Sequence, residues 1–443
     1  MGEGHTLFSS LSLVQCPIKP NRSTLSVVQY ARCRALTLGS TMIVPKMRRE
    51  EIKKESVLKL LGEEFGSTLR LDGEERDERE RLNFADFQRA KSVCSSWFST
   101  STTVTKNQIP LLILFPEKNH DNCCRLFNPE EKDRLYKTKD FGVGFAKSVC
   151  IATYGNWLLM QDSMYNLYIL HLFTRERINL PSVESQLGKV KVERTIYDEF
   201  RIIQDESESE DMSIRSPVFW IDEKSKDYIV LWGLKRCCLV SAKKGDTSWS
   251  QIPNTSDCCD MVYKDHKLYF LSNAGTFQLL VFSGDINFKT FKQVHLCIDN
   301  NVPFRGTRFQ LSDPWWIETK LVVTVTGNVL EVRKMWTESR TCSFSVQKIS
   351  SSGLFKKYEK VDSLGDEAML WDLGITVPAN DIEGFNRNCI YFCGSPRGFH
   401  EKNTSNVFLF NLKTRKVELL HKFDCSSLQL SRARWFLPSL THT

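Results

Sequence analysis

The chain lacks the runs and spacings that mark several common functions. No apolar stretch approaches the ~18–20 residues a membrane-spanning helix needs. The run at 109–115 has the length of a strand. The eight histidines (His5, His120, His171, His266, His295, His400, His421 and His442) show neither His-x-x-x-His nor His-Glu-x-x-His spacing. A zinc or metalloprotease site therefore has no support, and no metal ligand is assigned. No Gly-x-Ser-x-Gly nucleophile elbow occurs. Phe141 to Phe145 (FGVGF) holds two close glycines but no following Lys-Ser/Thr and no third glycine. A tight turn is expected there rather than a phosphate cradle. Carboxylates such as Asp205/Glu206 and Asp366/Glu367 are adjacent pairs in expected loops, where solvated acids normally lie. No catalytic residue and no cofactor are assigned, and the chain reads as a non-enzyme.

Charge of one sign is scarce outside the first segment. Residues 1–49 hold seven basic residues and one acid, +6 of the formal net +7. A nucleic-acid-binding domain needs a dense basic face to displace counterions from phosphates, and the remainder has no such excess. Nucleic acid and membrane are both left out of the expected partners. Fifteen cysteines include the adjacent pairs Cys123–Cys124, Cys237–Cys238 and Cys258–Cys259, without any Cys-x-x-Cys. That pattern fits neither a secreted disulfide framework nor a zinc site. Most are read as reduced, buried, small apolar residues of an intracellular protein. Residues 1–49, rich in Ser, Thr and Arg, read either as a disordered leader or as an organellar transit segment.

What is present divides at about residue 108. Residues 50–65 carry an irregular helical stripe (Ile52, Val57, Leu58, Leu60, Leu61, Phe65), with Gly66 at its end. Residues 72–81 (DGEERDERER) are charged and read as a solvated face or linker. In residues 82–98, Phe84, Phe87, Ala90 or Lys91, Cys94 and Trp97 recur every three or four positions, giving one aromatic and apolar helical face. From 108 onward, short apolar runs alternate with turn residues. Strands are expected at 109–115, 123–127, 149–153, 157–161, 167–172, 218–221, 228–232, 237–241, 249–252, 259–263, 267–271 and 277–282. More follow at 315–318, 321–325, 329–333, 342–348, 355–361, 368–372, 389–392, 407–411 and 416–420. A strand–turn–strand phrase recurs near Trp157, Tyr228, Leu268, Leu321, Ala368 and Tyr391, several intervals being about 40–50 residues, the length of a propeller blade. The fold expected is all-β: a β-propeller of six to seven four-stranded blades, which leaves few free sheet edges. The acidic run 204–211 (QDESESED), with Ser207 and Ser209 among acids, is expected as a mobile surface loop, and 395–405 as a second exposed loop.

Ten tryptophans carry the strongest binding signal. Trp157, Trp220, Trp232, Trp249, Trp315, Trp316, Trp336 and Trp371 spread through the repeats. Most are expected to fill spaces between sheets. An exposed one would be a binding anchor.

Residues 82–97 (LNFADFQRAKSVCSSW) resemble the second half of a plant F-box. Residues 107–116 (NQIPLLILFP), 174–181 (TRERINLP), 364–368 (LGDEA) and 433–438 (ARWFLP) resemble phrases of the plant F-box family that carries a KIB-type β-propeller, the domain-of-unknown-function 295 group. The resemblance covers about residues 82–438, and with the composition it divides the chain into three parts: a basic leader at 1–49, a helical F-box remnant and linker at 50–107, and the propeller at 108–438. It also implies a substrate receptor of an SCF (cullin-type) ubiquitin ligase, located in the nucleus or cytoplasm. A Skp-type adaptor would meet Phe84, Phe87, Val93, Cys94 and Trp97, and the propeller would hold a protein target that stays unidentified. The chain departs from the family where an F-box begins. Residues 69–81 carry Glu, Asp and Arg in place of an apolar helix, and unpaired charges buried in an interface cost several kcal/mol each. The alternative is a propeller-only binding protein, delivered to a mitochondrion or plastid by its basic leader.

Overall fold

The computed structural model describes residues 109–116, 122–130, 135–187, 190–195, 200–204, 208–235, 237–281, 294–296, 316–336, 342–352, 355–380, 382, 384–393, 406–421 and 430–438. The leader, the segment 50–107 with Phe84, Phe87, Val93, Cys94 and Trp97, and the loop 395–405 lie outside the described residues.

Successive short strands form small antiparallel sheets. The first begins with β1 (Leu111–Pro116), β2 (Arg125–Phe127) and β3 (Leu135–Lys137). The second is β4 (Val149–Tyr154), β5 (Trp157–Gln161), β6 (Leu167–His171) and β7 (Arg177–Asn179). The third is β8 (Ser185–Leu187), β9 (Val190–Arg194), β10 (Phe200–Gln204) and β11 (Glu208–Asp211). The fourth is β12 (Ile214–Ile221), β13 (Tyr228–Leu234), β14 (Cys238–Lys243) and β15 (Ser250–Gln251). The fifth is β16 (Cys258–Lys264), β17 (Lys267–Ser272), β18 (Phe277–Val281) and β19 (Val294–Leu296). A nine-stranded sheet then joins β20 (Trp316–Val323), β21 (Val329–Trp336), β22 (Cys342–Ser352) and β23 (Phe355–Lys360) to β24 (Glu367–Leu370), β25 (Ile375–Pro378), β26 (Cys389–Cys393), β27 (Val407–Asn411) and β28 (Lys416–His421). Finally β29 (Leu430–Phe436) returns to pair antiparallel with β1, so the chain's last strand completes its first sheet.

This is the expected β-propeller. Strands in the middle of a sheet are covered on both faces by neighbouring sheets, so they read as unbroken apolar runs rather than alternating ones. Strands β6 and β13 are buried at every position, and β5 at all but its last. Outer strands keep polar faces: β7 is exposed at both ends, and both residues of β15 are exposed. The core is therefore a succession of packed interfaces. One apolar cluster joins β4–β7, β8–β11 and β12–β15. Others join β13–β14 to β16–β18, those to β20–β22, those to β24 and β26–β27, and β24–β27 to β1, β2 and β29.

The first strands stand side by side. β4 lies against β29 and β12, β12 against β16, and β16 against β20. β20 meets β25 and the 3-10 turn Trp371–Leu373, which itself abuts β29. Hydrogen bonds stitch the ring: Thr153 donates to the Trp435 carbonyl (3.0 Å), Ser216 to the Cys259 carbonyl (3.3 Å), and the Leu321 N–H to Asp260 (2.7 Å). Gly374 is needed where β20 meets the 3-10 turn. Its φ is +66°, and a Cβ there would stand 2.7 Å from Val262 Cγ2 and 2.9 Å from the Leu321 carbonyl oxygen.

Two expectations are corrected. The run 204–211 holds the last residue of β10 and all of β11, which pair with Ile203 opposite Ser209 and Arg201 opposite Asp211, rather than only a loop. An outer strand tolerates acids because its free side faces water. The phrases at Ala368 and Tyr391 belong to one sheet, because the hairpin β24–β25 is inserted between β20 and β26. The turn expected at Phe141 to Phe145 is present, with Gly142 and Gly144 at φ +89° and +95°.

Candidate interaction surface

Trp157, Trp232, Trp249, Trp336, Trp371 and Trp435 are buried. Among the tryptophans whose side chains are described, Trp220 is half-buried. Along β12, Phe219 and Ile221 point into the core, and the two-residue period turns Trp220 the other way. It joins three rings from neighbouring first strands. Tyr154 ends β4, Tyr263 lies in β16, and His266 sits in the turn after it. Asp265 and His266 both have positive φ, 50° and 58°, as a two-residue hairpin turn between Lys264 and Lys267 demands.

Trp220 and His266 meet edge to face at 5.5 Å, while Tyr154 meets the core ring of Phe219 at 6.0 Å. The Tyr263 hydroxyl is 3.4 Å from His266 Nδ1. Tyr154 and His266 are exposed, while Trp220 and Tyr263 are half-buried. Burial pushes the Tyr154 phenol up to about 12, and the nearby acids Asp265, Glu223 and Asp222 push the same way. Burial, then Tyr154, raises Tyr263 as well. Both phenols therefore stay neutral at ordinary pH, with an apolar face and a polar edge, the character of interface aromatics.

The turn beside this surface is built tightly. Asp222 Oδ1 accepts the N–H groups of Lys224 (3.0 Å) and Ser225 (2.7 Å), and the Ser225 N–H holds its carboxyl below the usual range. Beneath it lies a buried polar cluster. His171 Nδ1 accepts the N–H of Phe173 (3.3 Å) and Thr174 (3.0 Å), so its other nitrogen carries the proton. That Nε2 lies 3.9 Å from Glu223 Oε2. Trp157 stands edge-on to the imidazole at 4.6 Å, and the Lys226 ammonium sits 4.6 Å from the centre of the Trp157 ring. Burial, with Lys226 adding to it, lowers His171 to about 4. Burial raises Glu223. This cluster packs the turn against β5 and β6.

Among the described residues, no group of three or more His, Cys, Asp or Glu could hold a metal ion. Burial raises the Cys150, Cys342 and Cys389 thiols to about 11 and Cys238 to about 12. Thiols so raised are poor nucleophiles. Most of the described cysteines are buried free thiols, as expected. Among the described residues, no helix is long and apolar enough to cross a membrane.

The fold and this surface define a β-propeller of the protein-interaction class. The KIB1-4 beta-propeller family model matches residues 126–411, and the chain belongs to that family. Its relatives include a probable F-box protein of Arabidopsis thaliana, 63% identical over 367 residues, which cover 82% of this chain and 94% of the relative. A putative F-box protein of the same plant is 55% identical over 370 residues, 81% of this chain and 90% of the relative. Among solved structures, the N-terminal domain of Nup159 is similar with a TM-score of 0.31 and 8% identity, over 72% of this chain and 84% of that one.

Of the tryptophans singled out in the sequence, Trp220 is half-buried and packs against the cluster of β13–β14 and β16–β18, and the side chains of Trp315 and Trp316 lie outside the described residues. Tyr154, Tyr263 and His266 were not singled out by sequence reasoning, although each ends or follows a first strand at a turn.

Proposed function

We propose that the chain is a substrate receptor of a cullin-type ubiquitin ligase. The segment 82–97 grips a Skp-type adaptor, and the propeller holds a protein target at its aromatic turn face. The receptor performs no bond chemistry. It raises the target's effective concentration beside a ubiquitin-charged enzyme. The observation that carries this reading is the pairing of a KIB1-4 propeller with F-box relatives matched over at least nine-tenths of their length. The role places the chain in the nucleus or cytoplasm.

The charged residues 69–81 favour a second reading, a propeller that binds its partner without ligase function. Co-expression of the tagged full chain with a Skp-type adaptor separates the two. The first reading expects a complex that survives gel filtration at micromolar concentration and is lost in the F84A/F87A/W97A variant. Absence of that complex leaves the propeller-only reading.

A further inference from the structure

We draw no further inference here: the strongest candidate, the charged cluster of Glu318, Lys320, Lys334 and Asp372 where β20 and β21 meet the 3-10 turn Trp371–Leu373 beside the ring of first strands, carries nothing, because its two cations and two carboxylates offset one another and nothing in the structure shows what would occupy it.

Discussion

At the scale of single residues, burial decides what a side chain can do, and His171 shows it with a sign that pH exposes. The imidazole is fully buried and its Nδ1 is committed to two backbone N–H groups. Its folded pKa is about 4, below the ordinary 6.5. The unfolded chain therefore takes up a proton first as pH falls. Stability is full above about pH 6.5 and is lost progressively toward about pH 4. The ceiling is about 3 kcal/mol, at 1.36 kcal/mol per unit. Glu223, raised by burial, acts with the opposite sign, because the folded state takes its proton first. Urea midpoints measured across that range should fall with pH in wild type and fall less steeply in H171Q. Equal slopes would mean that the imidazole is hydrated in solution. Little of this was legible in the sequence, where eight histidines without metal spacing look alike. Trp220 was partly legible: an aromatic in a repeat region is visible, but its direction depends on strand phase. A one-residue shift would have put Trp220 in the core and Phe219 outside.

At the scale of elements, the ring of first strands depends on polar joints as well as apolar clusters. Asp260 in β16 is buried, and burial raises its pKa against the opposing influence of Lys320 in β20. It accepts the Leu321 N–H of β20 at 2.7 Å. One carboxylate thus joins two adjacent first strands. Removing it in D260A orphans the Leu321 N–H beside a fully buried Leu321. An unsatisfied buried donor costs ~1–3 kcal/mol, so a loss of about 3 kcal/mol is expected across the joint. D260N keeps an acceptor and should lose about half as much. Chemical denaturation of both variants checks the order, and equal losses would assign the cost to charge rather than to the hydrogen bonds. Central strands were easy to read because covered faces demand apolar runs, as at 157–161, 167–172 and 228–232. The sheet β8–β11 was missed because its strands are short and β11 is Glu-Ser-Glu-Asp. Its place comes from neighbours, chiefly Val190, Val192, Phe200 and Ile202 in the cluster shared with β4–β7 and β12–β15. The hairpin β24–β25 was missed for another reason: Ala368 to Asp372 reads as one strand, and nothing local announces that the chain doubles back at Gly374.

At the scale of the whole molecule, closure is the property on which the others depend. A ring of sheets has no stable half, since each sheet buries its faces against the next. The join is made by β29, whose Trp435 lies opposite Leu112 of β1 and is fully buried against Phe385 (5.7 Å) and Tyr391 (6.2 Å). The phrase ARWFLP that carried part of the family resemblance is this closing strand, so the strongest late motif is a fastener rather than a site. W435A removes a ring from that joint and should cost ~3–5 kcal/mol, as buried aromatic truncations do. A chain ending at residue 429 loses the whole strand. It exposes the edge of β1 and leaves Leu112 and Leu114, both fully buried in the closed ring, facing water. Limited trypsin digestion with mass spectrometry should then cut first at Arg125 and Lys137, in β2 and β3, which wild type protects. Protection of β1–β3 in that chain would show that the first sheet stands without its closing strand, and the ring would then not be the source of the molecule's stability.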